Sequence, residues 1–207
     1  SLQARNIETE FSRWELLKRA FVITYVNIAE LKLRLAPVPF RFREKPEGAR
    51  SWAEENILPD TFRLEKGSVD SLSVSYGEAG RPYVLDGTRV ESAYDAGSSQ
   101  YRFEMQGGRL RLPFKGCPEF SLMSGTAQFN HASRRVNVPS CRLTTAAGGY
   151  LDIKGDWDGS SSSWTANMVV NGVPASSVLE GHWKKHVQGS VSGGIDLRGG
   201  RDGVTHV

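Results

Sequence analysis

The chain has no apolar run near the ~20 residues that a membrane-spanning helix needs. Its longest candidate, Ala20 to Ile28, is interrupted by Thr24 and Asn27. There is no initiator Met and no signal peptide, and the sequence opens in mid-pattern at Leu2. That opening predicts a piece of a longer protein whose targeting or anchor segment lies elsewhere. Charge of one sign is not concentrated either: 26 Lys/Arg are interspersed with 23 Asp/Glu, for a formal net charge of +3. Nucleic-acid binding requires a basic face, so no nucleic-acid partner is expected. No Gly-x-Ser-x-Gly elbow exposes a nucleophile, and no glycine-rich stretch sits between a strand and a helix to cradle phosphate. The expectation is a protein that is not an enzyme and carries no cofactor.

Metal chemistry finds little support. His182 and His186 in HWKKH are four residues apart, at ligand spacing on one helix face, but no nearby Cys, Asp or Glu completes a zinc site. The basic run Lys184, Lys185, His186 suits a helix C-terminus better. Asp156 and Asp158 before Gly159 resemble the start of a calcium loop, yet the later ligands and the terminal Glu are missing, and a plain turn is the better reading.

What is present is alternation. With 207 residues, 39% of them hydrophobic, the chain can bury a core, and its 22 glycines fit many tight turns. Phe62 and Leu64, then Val69, Leu72, Val74 and Tyr76 with one phase slip, alternate with polar neighbours. The slip predicts a bulge. The same pattern holds at Tyr83 and Leu85 before Asp86-Gly87, at Ala127 and Phe129, at Val136 and Val138, at Leu151, Ile153 and Trp157, and from Trp164 to Val170 ahead of Asn171-Gly172. Tyr101–Met105 and Leu110–Phe114, separated by Gln106-Gly107-Gly108-Arg109, read as the best hairpin of the chain, with Pro113 marking an edge or the end of pairing. Period-two alternation with Gly-Gly, Asp-Gly and Asn-Gly between the runs predicts an all-β antiparallel meander without a parallel βαβ unit. Two short helices interrupt it. Ser12-Arg13-Trp14-Glu15 fits a capping box with a Phe11–Leu16 staple, placing one helix near Ser12 to Lys18; the other covers Ala175 to Lys184. The three prolines and mixed charge following Ala36 predict an exposed loop, and 37–60 is the one candidate sub-boundary in a chain otherwise read as a single domain over 1–207.

Two segments carry a family resemblance. The tail runs from Val173-Pro174 through a short helix to Gly189-x-Val191-x-Gly193-x-Ile195-x-Leu197-x-Gly199. The start runs from Leu2, Ala4 and Ile7 through a turn around Trp14 to Leu17, then to strands with Val26, Ile28, Leu31, Leu33 and Leu35. Both resemble AsmA-like domains of bacterial envelope proteins, and together they cover about half the chain. The resemblance implies a sheet folded into a U whose apolar face lines a groove for acyl chains. It implies a phospholipid or other acyl-chain lipid as partner, a role in intermembrane lipid transport or outer-membrane biogenesis, and a periplasmic location, anchored to the inner membrane by the remainder of the full-length protein. The long repetitive body of the family's larger members is missing from this chain.

Under that reading the groove candidates are Phe103, Met105, Leu110, Leu112, Phe129, Ile153, Trp157 and Met168, with Arg102, Glu104, Arg109 and Arg111 facing water. Trp157 and Trp164 belong to alternating apolar sets and are expected inside, whereas Trp52 and Trp183 are expected outside. Cys117 and Cys141 are an even pair, which in an envelope domain permits one disulfide; the other reading is two buried thiols. A packed β-sandwich serving as a structural or interaction module of an envelope assembly is the alternative, and an envelope hydrolase built on two acids that meet in space is the third reading.

Overall fold

The computed structural model describes residues 1–17, 20–35, 61–77, 80–113, 117–178, 186–200 and 203–206. Their strands all join one 13-stranded sheet. The elements are β1 (Leu2–Phe11), α1 (Arg13–Leu17), β2 (Ala20–Leu35), β3 (Thr61–Leu64), β4 (Lys66–Tyr76), β5 (Tyr83–Asp95), β6 (Gln100–Gln106) and β7 (Arg109–Arg111). There follow β8 (Phe120–Asn130), β9 (Arg135–Thr145), β10 (Tyr150–Asp158), β11 (Ser163–Pro174), α2 (Ala175–Val178), β12 (Ser190–Gly200) and β13 (Gly203–His206). The all-β class with two short helices is therefore what the sequence folds into. Lys18 and residues 179–184, which the sequence reading placed in the helices, lie outside the described residues, as do Trp52, Trp183 and the loop 37–60. All described strands belong to one sheet, so they do not form a two-sheet sandwich.

The order across the sheet is β1-β2-β4-β5-β6-β8-β9-β10-β11-β12-β13, with β3 beside β2 and β7 between β5 and β8. At about 4.8 Å per strand this path is roughly 48 Å wide. The expectation of a purely antiparallel sheet fails at one place. β2 runs parallel to β3 and to β4, which follow one another along the same side of β2. Residues 36–60 separate β2 from β3, and a parallel pair needs a connection of a dozen residues or more. The sheet passes from β2 to β4 without a break, so the described strands show no boundary at that position.

Three glycine signals read as turns are instead irregularities within strands. β6 and β7 do not pair with each other: β6 pairs with β5 and β8, and β7 does the same further along. The expected hairpin is thus one interrupted strand, with Gly107 (φ 67°) and Gly108 (φ 93°) between its halves. The two glycines hold one residue more than regular alternation allows, and this keeps Met105 and Leu110 on the same side of the sheet. β5 runs straight through Asp86-Gly87, and β11 through Asn171-Gly172, where the register slips between Val170 and Val173. Hairpin turns do form at 131–134, 146–149 and 159–162. The expected slip in β4 is present as two register shifts, between Val69 and Leu72 and between Leu72 and Val74. At the first helix the Ser12 amide donates to the Val22 carbonyl at 2.9 Å, tying the entry of the helix to β2. Phe11 stacks on Phe21, with ring centroids 6.3 Å apart.

Residues directly opposite across a ladder share a face. One row begins Ile7, Ile28, Val69, Val90 and Met105, each opposite the next. It continues through Gly125, Cys141, Ile153 and Met168 to Ile195, ten strands in all. Nearer one strand end, Leu33, Val74, Leu85, Leu110 and Phe120 make a second apolar row. At the other end Tyr94, Tyr101, Phe129, Val136, Trp157 and Trp164 make a third. The best-buried cluster, Phe120, Leu122, Leu143, Leu151 and Val173, lies at the second row's end, with Leu112 and Cys117 from the β7–β8 connection packed against it. Bulges bend a strand and increase its twist, and such curvature brings neighbours around these side chains in a single-layer sheet.

Candidate functional site

The two faces of the sheet differ in chemistry. On one face the polar groups satisfy one another. Arg142 makes two 2.7 Å bonds to the Asp152 carboxylate and stands 4.7 Å from the centre of the Tyr150 ring. The hydrogen bond from Arg142, followed by its positive charge, lowers the Asp152 pKa. Asn137 donates to Asp156 and Asn167 to Asp196, each at 2.7 Å, and Arg102 pairs with Glu104 at 3.2 Å. A hollow of about 530 Å³ at one end of these strands is lined by Gln128, Asn137, Asp156 and Thr165 and also by Val136, Trp157 and Trp164. Its amides and acids are partly engaged with each other, and the valine and two tryptophans give it an apolar part as well.

The opposite face is apolar, and it gathers the residues singled out from the sequence. Phe103 and Met105 on β6, Leu110 on β7, Phe129 on β8, Ile153 on β10 and Met168 on β11 all point to it and are half-buried. Leu112, just past β7, packs on the Phe120 cluster. Arg102, Glu104, Arg109 and Arg111 are exposed, as expected. Trp157 corrects the reading that placed it inside: it is on the right face, near the end of β10, but 43% exposed. Met105 lies over Gly125, where a β-carbon would stand 3.1 Å from its Cε, so the glycine makes room for a long side chain laid along the sheet.

The face is wider than the sequence reading made it. Ile7, Ile28, Val69, Val90 and Ile195 extend the same row from the edge strand β1 to β12, next to the short edge strand β13, and were not among the candidates. Their signal was a shared one: Ala4 to Ile7, Ile28 to Leu31 and Val69 to Leu72 each step three residues between apolar positions, and these strands prove to be neighbours. The row ends on accessible side chains, Ile7 at 56% and Ile195 at 40% exposed. Only seven hydrophobic residues of the described chain are buried.

Cys117 and Cys141 are free thiols, so the disulfide permitted by their even count is not formed. Cys141 faces Gly125 and Ile153 within the ladder, and Cys117 lies in the connection before β8. Burial pushes both thiols above their ordinary pKa; for Cys141 the nearby Asp152 charge adds to this. Asp158 acts as a turn residue, accepting the Ser160 and Ser161 amides at 2.9 and 3.4 Å. His182 lies outside the described residues, and among the described residues no three metal-ligand side chains come together. No described helix is long and apolar enough to cross a membrane. No family model, curated protein or solved structure matches this chain.

Proposed function

We propose that this sheet binds lipid acyl chains on its apolar face, as a module of a cell-envelope protein that moves or organises lipid between membranes. The observation that carries the proposal is the row from Ile7 to Ile195, which crosses ten adjacent strands without a polar side chain and ends on accessible residues at both ends. Each methylene moved from water onto such a surface contributes about 0.8 kcal/mol, and a non-directional trough needs no polar recognition and no catalytic group. The resemblance of both chain ends to AsmA-like domains supports the same reading, and with it a periplasmic location, a phospholipid partner and an inner-membrane anchor in the full-length protein.

The test is native mass spectrometry of protein purified without detergent, with lipid extracted and quantified in parallel. Wild type should carry phospholipid. Phe103→Asp and Met168→Asp should stay folded, because a carboxylate on an open wall can hydrate, yet retain less lipid. Wild type free of lipid, with both variants unfolded, would mean a filled interior and would end the proposal.

A further inference from the structure

At the aromatic end of the apolar face stands an ion pair. The Arg63 guanidinium lies 5.8 Å from the centre of the Tyr94 ring, and its Nη2 is 3.0 Å from Glu65 Oε1. Tyr94 in turn packs on Tyr101, with centroids 4.8 Å apart, and both belong to the row that continues to Trp157 and Trp164. The pair is held by backbone as well as side chain. The Glu65 amide donates to the Ile23 carbonyl at 2.8 Å, and the Tyr94 amide donates to the Glu65 carbonyl at 2.7 Å. Arg63 is not fully satisfied by Glu65: its Nε is shut off from solvent and has no hydrogen-bond partner.

We infer that Arg63, Glu65 and Tyr94 form a headgroup site for a zwitterionic phospholipid, one bearing a phosphodiester and an ammonium group. This rests on the acyl-chain reading of the face and adds to it the class of lipid. The argument is charge complementarity. A guanidinium forks onto phosphate oxygens, a carboxylate accepts from ammonium, and an aromatic ring attracts a cation to its face. Arg63 and Glu65 place the first two 3.0 Å apart, and the third attraction is the one by which the Tyr94 ring holds the Arg63 guanidinium in place. An anionic headgroup would satisfy Arg63 but meet Glu65 as a like charge, and a fatty acid would do the same. The polar-tipped aromatics at this end suit the boundary between headgroup and chain, where one side of a ring is apolar and the other wet.

The experiment incubates delipidated full chain with vesicles of equal phosphatidylethanolamine and phosphatidylglycerol, then measures lipid retained on the re-isolated protein. Wild type should be enriched in phosphatidylethanolamine, by roughly tenfold if one charge-assisted contact decides the choice. Glu65→Gln, which can still bond Arg63, should lose that enrichment while total lipid holds. Arg63→Gln should retain less of both phospholipids, and Arg63→Lys should recover part of the loss. Circular dichroism and melting confirm that each variant is folded. Lipid bound without headgroup preference, a ratio unmoved by Glu65→Gln, or total lipid unmoved by Arg63→Gln overturns the headgroup site and leaves the acyl-chain reading standing. Wild type that takes up no lipid overturns both.

Discussion

Gly108 lies so close to Thr88 that a β-carbon on the glycine would overlap the threonine hydroxyl and stand 2.8 Å from the Asp86 carbonyl. Thr88 is completely buried at this point, opposite Leu72. The irregularities around the contact are aligned: Gly87 on β5, Gly107 and Gly108 between β6 and β7, and a register shift between Leu122 and Ser124 on β8. Neighbouring strands that bulge at one level bend together, so this line is where the sheet curves. Gly108→Ala should therefore cost about 3 kcal/mol or more, from the positive φ and from contact with backbone that cannot move alone. At Gly107 a β-carbon meets nothing within 4 Å, and Gly107→Ala should cost only the left-handed conformation, about 1–2 kcal/mol. Urea unfolding of the two variants side by side checks the difference; equal losses would remove the crease from the account.

The same contact shows what was legible in the sequence. Alternation along each run correctly named the class and the face of the sheet, since Phe103, Ile153 and Met168 fall where period two puts them. It did not name the connections. Glycine at positive φ serves a two-residue turn and a bulge equally well, so Gly148-Gly149 became a turn while Gly107-Gly108 and Asn171-Gly172 became bulges. What separates them is the partner strand: β5 is long enough to pair with both β6 and β7, and that is a tertiary fact. The parallel placing of β2 beside β4 is equally invisible locally, because a strand buried on one face alternates in either orientation. The headgroup candidates Arg63 and Glu65 carried no signal at all, being one charged pair among many in the chain.

Burial divides the apolar face into a held end and an open row, and truncations should separate them. Leu143 is 3% exposed within the Phe120 cluster, so Leu143→Ala should cost about 2–5 kcal/mol. Ile195 is 40% exposed, and Ile195→Ala should cost less than about 1 kcal/mol while lowering the lipid retained. Thermal or urea midpoints give the first comparison and lipid extraction the second. A large stability loss at Ile195 would show that the edge of the face is packed.

The thiols offer a separate check. Both are free and their pKa values are raised by burial. The thiolate is the reactive form. Alkylation of the folded protein near pH 8 should therefore be slow at both, whereas denatured protein, never reduced, should titrate two thiols. Cys141, raised by burial and then by Asp152, should be the slower. Finding no thiol in the denatured, unreduced protein would mean that the two are bridged after all.

The turn between β10 and β11 should respond to acid at an unusually low pH. Asp158 accepts hydrogen bonds from the Ser160 hydroxyl, then the Ser160 and Ser161 amides, with Arg135 at 3.0 Å, and these hold its pKa at about 2, below the ordinary 3.8. The pKa is depressed on folding, so the carboxylate's contribution is complete above the unfolded value and is lost as pH falls through the folded one. The turn should thus be intact at pH 4 and loosen only on approach to pH 2. Asp158→Asn removes the charge and should make this hairpin indifferent to that range, with Trp157 and Trp164 as neighbouring reporters since they lie opposite one another. Carboxyl-detected NMR titration measures the group directly. A midpoint near 4 for Asp158 would show that the serine hydrogen bonds do not persist in solution, and the aromatic end of the face would then have lost one of the turns that order it.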